Sequence, residues 1–376
     1  MNLPISGWIC RVALYGSCVL AISGPAIAVT LPPTFERVQA LPLSPKESRV
    51  KLLEVGGEFY GTSQLGGTSN QGTLFKLATD GTLTILANFN GSNGTTPKGG
   101  LILGTDGLLY GTTEAGGASG KGTVFRVTTG GSLTTLASFN GTNGDGPIGG
   151  VALGTDGNFY GTTKAGGTSD KGTVFKMTSG GALTSLASFN GTNGSGSAGR
   201  LVADANGLFY GVCEYGGDSN KGTLFTVTTG GTITRLVSFD GTNGQDPLST
   251  LVPDGSGNFL GSTWGTYNTG TIFRITPGGT LTTLVTFNGT NGGSPSGELT
   301  LGADGNYYGS HLQRRHRPQC FRHRLQDDAC GSTHHLWQLR QLQWYRSGRR
   351  CGRRLGWEFL RRDERRRANP GRIQFP

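Results

Sequence analysis

The sequence predicts an all-β fold: a β-propeller of four-stranded blades about 50 residues long, incomplete in this chain and followed by a disordered tail. Three observations predict it. A motif set recurs through the middle of the chain at near-constant spacing. Each recurrence contains four short strand patterns separated by turn residues. Glycine makes up 68 of 376 residues, about 18% against a usual ~7%, as a chain with many tight turns requires. With 34% hydrophobic and 15% charged residues, the composition excludes a membrane transporter and an all-α bundle.

The first segment, 1–28, reads as a signal peptide. It carries one basic residue, Arg11, then an apolar run from Val12 to Ile22, and ends in the small-x-small pattern Ala26-Ile27-Ala28. Gly16, Ser17, Ser23, Gly24 and Pro25 break the run, so it is poorly suited to spanning a bilayer, and an uncleaved anchor is the alternative. No other transmembrane span is expected. Cleavage would remove Cys10 and Cys18 and leave Cys213 as the single thiol of the body, too few for a disulfide framework. A small side chain buried in a strand is its expected role.

Residues 29–47 read as a linker. Within it, Phe35 to Leu41 resembles the fourth strand of a blade, as in Ile233 to Phe239. A strand there could close the ring by pairing with the last blade and cover otherwise open edges.

The repeats occupy 48–310. A Tyr-Gly step recurs at Tyr60, Tyr110, Tyr160 and Tyr210, then as Leu260 and Tyr308, with spacings of 50, 50, 50, 50 and 48. Gly-Thr-x-Phe follows at 72–75, 122–125, 172–175, 222–225 and 270–273, and each unit closes on Phe89, Phe139, Phe189, Phe239 or Phe287. In one unit the strands are expected at Leu101 to Leu103, Leu108 to Thr113, Thr123 to Thr128 and Ser132 to Phe139. Asp106-Gly107 and Gly130-Gly131 supply hairpin turns, because both pairs tolerate positive φ. A β-solenoid is the alternative architecture, though its coils are usually shorter. The chain is expected to build five full blades and part of a sixth.

The last segment, 311–376, has a different composition. It holds 17 of the 33 Lys and Arg, all Arg, but 5 of the 23 Asp and Glu, a formal +12 that leaves −2 for residues 1–310. All five His lie there, and only 5 of the 68 Gly. The segment reads as the same repeat in a shifted frame. Codons permitted for Leu355 to Arg367 can encode SDGNFYGGTNEGG in the next frame, beside Thr155 to Gly167, TDGNFYGTTKAGG. Those for Phe321 to Gly331 permit FGTVFKMTPAG, beside KGTVFKMTSGG at Lys171 to Gly181. Trp344 and Trp357, whose codon is unique, each force Gly in the hidden frame, where the repeat has its Asn-Gly and Asp-Gly turns. His316, Cys320, His323, Cys330, His334 and His335 therefore mimic a zinc cluster, with spacings that match no standard finger. The Arg361 to Arg367 run similarly mimics a nucleic-acid patch. No selected nucleic-acid partner is expected.

The units DGLLYGTTEAGGASGKGTVFRVT and SLTTLASFNGTNG resemble the GloVer tandem repeat, over about 48–309 in frame and most of 311–376 out of frame. The resemblance implies an exported bacterial protein, secreted or attached at the cell surface, with no established enzymatic activity. The fifth unit departs most, with Leu260 for Tyr and Trp264-Gly265-Thr266-Tyr267 in place of the Gly-Gly loop.

Strand and turn positions hardly vary between units, but the positions after Tyr-Gly-Thr-x do. They are Gln64, Glu114, Lys164, Glu214 and Trp264, followed by Leu65, Ala115, Ala165, Tyr215 and Gly265. Equivalent loops of a propeller gather on one face, and a constant scaffold with a varied face is how binding surfaces are built. Glu114, Lys164, Glu214, Tyr215, Trp264 and Tyr267 are the candidate ligand-binding residues. Tyr215, Trp264 and Tyr267 could form an aromatic platform for a sugar or peptide. Tolerant solvated loops are the plainer explanation. The alternative function is a secreted polysaccharide hydrolase or lyase using Glu114 and Glu214 as paired carboxylates, although residues 1–310 contain no His. No cofactor is expected. Calcium is a weaker option at Asp145, Asp240 and Asp246, where no complete Asp-x-Asp-x-Asp-Gly loop occurs.

Resequencing the coding DNA around codon 310 checks the frame. We expect the neighbouring frame to encode further repeats; an intact frame with no repeat in the shifted translation would refute the reading.

Overall fold

The computed structural model describes residues 51–266, 268–295, 297–302 and 305–313, together with the strands 8–12, 35–40, 333–338 and 345–346. Among these residues there is no helix, and none therefore long and apolar enough to cross a membrane. Trp8–Val12 (β1) pairs antiparallel with Phe35–Ala40 (β2). The strand proposed for ring closure thus exists, but its partner is β1 and not the last blade. Pairing with a segment so near in the chain closes a shorter loop and costs less entropy than pairing with the distant last blade.

Six antiparallel sheets follow in chain order, and the fold is a β-propeller. The first blade consists of Leu53–Val55 (β3), Glu58–Ser63 (β4), Thr73–Leu77 (β5) and Leu83–Asn88 (β6). The second has Ile102–Leu103 (β7), Leu109–Thr113 (β8), Thr123–Val127 (β9) and Leu133–Ser138 (β10), each within a residue or so of the strand expected from the sequence. The third has Val151–Leu153 (β11), Phe159–Thr162 (β12), Thr173–Met177 (β13) and Leu183–Ser188 (β14). The fourth adds a strand: Ser195–Ser197 (β15) and Val202–Ala203 (β16) both pair with Phe209–Tyr215 (β17), which continues to Thr223–Val227 (β18) and Ile233–Ser238 (β19). The fifth has Val252–Pro253 (β20), Phe259–Thr263 (β21), Thr269–Ile275 (β22) and Leu281–Asn288 (β23).

The sixth sheet comprises Thr300–Leu301 (β24), Tyr307–Gln313 (β25), Thr333–Gln338 (β26) and Tyr345–Arg346 (β27). Its outer two strands come from the Arg-rich segment, so the sheet is fuller than the partial blade expected. Backbone pairing explains this, because ladder hydrogen bonds ask little of side-chain identity. The register marks it as foreign to the repeat. Tyr60, Tyr110, Tyr160 and Tyr210 pair with residues 16 positions on, whereas Tyr308 pairs with Gln338, 30 positions on. The remainder of 311–376, where the sequence predicts disorder, lies outside the described residues, as do the signal-peptide cleavage site and most of the linker.

Short first strands line the inside of the ring: β3 touches β7, and β7 touches β11. Between blades the core is an aromatic ladder. Tyr110 stacks on Phe159 of the next blade with centroids 4.0 Å apart, and the same step joins Tyr160 to Phe209 and Tyr210 to Phe259. The closing Phe of each unit meets the Gly-Thr-x-Phe ring of the next edge-on: Phe89 to Phe125 at 5.2 Å, Phe139 to Phe175 at 5.0 Å, Phe189 to Phe225 at 5.0 Å. Leu101, Val151, Leu201 and Leu251 fill the space between these rungs. The first blade turns Leu52, Phe59, Leu83 and Ile85 toward its own Phe75 and Leu77. Phe59 there is half-buried, while Leu109, Phe159, Phe209 and Phe259, its equivalents, are buried.

The Gly of each Tyr-Gly step is not a turn residue, contrary to the idea that turns account for all the glycine. Gly111 sits mid-strand opposite Phe125, and a methyl group on it would lie 2.6 Å from that ring and 3.0 Å from Leu101. Gly61, Gly161, Gly211 and Gly261 stand likewise against Phe75, Phe175, Phe225 and Phe273. Other glycines do serve turns, such as Gly107 at φ 74° after Asp106.

Removing one rung should be costly. Phe139→Ala is expected to destabilise by roughly 3–5 kcal/mol, read as a shift of the denaturant midpoint; a loss below about 1 kcal/mol would contradict the ladder.

Candidate functional site

Two sets of loops leave the blades, one on each face. On one face, the link from each blade to the next lies beside the loop between that next blade's second and third strands. The bridges Thr95 to Ala115, Asp145 to Ala165 and Pro247 to Thr263 tie them together. In the fourth blade the same contact has grown into β15, which pairs Ser195 with Tyr215. Each link folds on itself through an Asn/Asp-Gly-Ser/Thr-Asn-Gly sequence. Asn190 Oδ1 accepts the Thr192 hydroxyl at 2.8 Å and the Asn193 amide at 3.0 Å, and Asn140 and Asp240 do the same work in theirs. Those bonds account for the Asn-Gly-Thr triplets as turn formers.

The link is also held from the preceding blade. The carbonyls of Gln71, Lys121, Lys171 and Lys221 accept the amides of Thr96, Gly146, Gly196 and Asp246. These four link residues all have positive φ, although Thr96 and Asp246 are not glycine, at 55° and 53°. The variable positions are fixed to the same residues. Glu114, Lys164 and Trp264 donate their amides to the carbonyls of Thr96, Gly146 and Asp246, at 3.1, 3.0 and 3.0 Å. The side chains that differ between blades thus project from a rigid, repeated backbone.

The environments of these side chains differ. Glu114 is half-buried and ion-paired with Lys98 at 2.7 Å. Lys164 is exposed, and Trp264 is half-buried. Glu214 accepts the Tyr215 hydroxyl at 2.5 Å, and that bond, with partial burial, pushes the phenol up to about 12. Tyr215 is 42% exposed, the one aromatic among the large hydrophobic side chains left open in the described residues. It borders a cleft of about 400 Å³ between the link at 190–195 and the loop at 215–220. Tyr267 lies outside the described residues, and Trp264 does not line the cleft that Tyr215 borders.

The proposed carboxylate pair is not assembled by any described contact: Glu114 belongs to the second blade, bound to Lys98, and Glu214 to the fourth, bound to Tyr215. The carboxylates considered for calcium are each engaged locally. Asp145 pairs with Lys121 at 2.6 Å, Asp240 accepts bonds within its own link, and Asp246 accepts from Gln245. Among the described residues, no group of three or more His, Cys, Asp or Glu is placed to hold a metal.

The opposite face carries a structural motif that the sequence only partly disclosed. Each buried Tyr reaches a carboxylate. Tyr110 donates to Asp106 at 2.7 Å, Tyr160 to Asp156 at 2.8 Å and Tyr60 to Glu58 at 3.1 Å, while burial and then the nearby Asp204 charge raise the Tyr210 phenol. A cation often joins the carboxylate: Lys76 on Glu58, Lys176 on Asp156 and, in the fifth blade where Leu260 replaces the Tyr, Arg274 on Asp254. Burial would raise the Asp254 carboxyl. The amides of Ser256 and Asn258, the Asn258 side chain and Arg274 outweigh it and bring it down to about 2. Burial and the bond to Asp106 push Tyr110 up to about 12. Cys213 is fully buried where Thr113 and Thr163 stand in other blades, and burial drives its thiol up to about 12, a packing role as expected.

The family model described as the Gloeobacter/Verrucomicrobia repeat matches residues 47–265. No curated protein matches the chain. Among solved structures, it is similar to a gluconolactonase from Xanthomonas campestris, at 13% identity and a TM-score of 0.44, over 72% of this chain and 94% of that one. It is also similar to a protein of unknown function from Bacteroides thetaiotaomicron, at 15% identity and a TM-score of 0.42, over 70% and 66% of the two chains.

Asp254 and Tyr110 contribute to stability at opposite ends of the pH range. Asp254, at about 2 when folded against an ordinary 3.8, stabilises the fold above pH 3.8 and stops doing so as the pH falls toward 2. Tyr110, at about 12 against an ordinary 10.0, stabilises below pH 10 and ceases to as the pH rises toward 12. The melting temperature should therefore fall in both windows. Tyr110→Phe should flatten part of the alkaline fall and leave the acid fall from Asp254 in place.

Proposed function

We propose that this chain, which belongs to the Gloeobacter/Verrucomicrobia repeat family, is an exported, non-catalytic scaffold that binds or displays a ligand at the cell surface through the loop face of its propeller. The observation that carries the proposal is the contrast within each blade. The backbone at 114, 164 and 264 is fixed by the same hydrogen bond to its link, and the residues there are Glu, Lys and Trp. The strands vary far less: Gly and Phe return at the same places in all five full blades, and Tyr in the first four. A rigid frame that offers different side chains at equivalent points supports recognition by shape and charge. The apolar stretch of 1–28 with its Ala-Ile-Ala end supports export. A glycan or a peptide suits an open, loop-built face.

A glycan and peptide array probed with the full-length chain tests the reading. We expect retention without turnover, weakened by Lys164→Ala or Trp264→Ala in variants that melt like the parent. Release of cleaved product that stops on Glu114→Gln or Glu214→Gln would overturn it in favour of a hydrolase or lyase.

A further inference from the structure

Loops at equivalent positions can be compared blade by blade, and the fourth differs in two coupled ways. At position 121 of the second blade the Lys ammonium is neutralised by Asp145 of the following link, at 2.6 Å. Lys221 turns its Nζ onto the Asp240 carbonyl at 2.9 Å. Lys171, the equivalent between them, faces a link in which Ser195 replaces Asp145. Its side chain has no ion pair among the described residues, and it lines the cleft of about 400 Å³. On the other side of that cleft Tyr215 replaces Ala115 and Ala165. β15 holds it in register with Ser195, and its ring lies over Gly196, where a methyl group would be 3.3 Å from Cδ2.

The remaining polar walls donate. Asn190 Oδ1 is occupied by Thr192 and Asn193, and Asn220 Oδ1 by the Gly216 amide at 2.9 Å, so both carboxamides have their NH₂ groups left for a ligand. Arg235 fixes the Thr192 carbonyl at 3.0 Å and so steadies the link. Lys171 is the one charged side chain lining the cleft. Glu214 is directed to the Tyr215 hydroxyl. An ammonium, two amide donors, the Ser195 hydroxyl and an exposed phenol ring call for a ligand rich in oxygen acceptors, with one negative charge and an apolar face for the ring.

We propose that the cleft between Lys171 and Tyr215 binds an acidic saccharide: a sugar unit with its C–H face on Tyr215 and its carboxylate on Lys171. This deepens the scaffold reading above and rests on it. The other blades provide variants that the fold already accommodates, Gln71 for Lys171 and Ala115 or Ala165 for Tyr215.

Titration of the full-length chain with trigalacturonate, maltotriose and triglutamate, by calorimetry, tests it. Trigalacturonate should bind best, and Lys171→Gln and Tyr215→Ala should each weaken it by roughly tenfold. Lys171→Gln should also remove most of the difference between trigalacturonate and maltotriose. Equal binding of trigalacturonate by the parent and both variants would overturn the proposal and assign the affinity to the arginine-rich segment. Equal affinity for maltotriose, or for triglutamate, would overturn the acidic-saccharide class. A neutral glycan or a peptide retained on the array would then leave the scaffold reading standing, whereas an array with no ligand would remove its basis.

Discussion

The blade depends on one contact, a phenylalanine ring packed against a glycine. Phe125 crosses from the third strand onto Gly111 of the second, where any side chain would collide with it, and Leu101 closes the same space. Phe89 from the preceding blade meets the same ring at 5.2 Å in a T-shaped arrangement. One ring thereby fixes the pairing within a sheet and the angle between sheets. The Tyr beside each glycine does complementary work, because successive side chains of a strand point to opposite faces. Tyr110 packs on Phe159 of the following blade and ends on Asp106. Each Tyr-Gly step thus connects one blade forward and orders it internally, which is why spacing of the step, more than overall hydrophobicity, defines the fold.

Most of this architecture was legible in the sequence. The period, the four strands of each unit and the strand limits of the second blade all follow from recurring Tyr-Gly, Gly-Thr-x-Phe and Phe-Asn-Gly motifs. Two things were not. The mid-strand role of Gly111 is invisible along the chain, because its reason lies on another strand. The carboxylate–Tyr bond is hidden because the carboxylate moves: Glu58 lies two residues before its tyrosine and Asp106 and Asp156 lie four before theirs, yet each arrives at the corresponding hydroxyl. A turn can shift its acid along the chain without moving the oxygen in space, so a fixed-spacing motif never forms. The partner of Phe35–Ala40 was missed for a different reason, since a β-strand pattern announces an edge and not what fills it.

The candidate site was half legible. Comparing units singled out Glu114, Lys164, Glu214, Tyr215 and Trp264 as positions that vary on an otherwise constant frame, and the link hydrogen bonds explain why they can vary without cost to the blade. Lys171 escaped notice because it belongs to a nearly constant position, with lysine in three of four blades. Its distinction arises in the next unit, where Ser195 has replaced the aspartate that would neutralise it. The difference lies across the junction between blades, in what one link does not supply to the loop before it.

The most direct measurement of the central claim is a double-mutant cycle on Gly111 and Phe125, followed by chemical denaturation. Gly111→Ala alone should destabilise by roughly 1–3 kcal/mol through overpacking. Phe125→Leu, with a smaller and movable side chain, should absorb the added methyl group, so the double variant should be more stable than the sum of the two losses by at least about 0.5 kcal/mol. Losses that simply add would contradict the account, because they would mean that the glycine and the ring do not share the contact on which the blade is built.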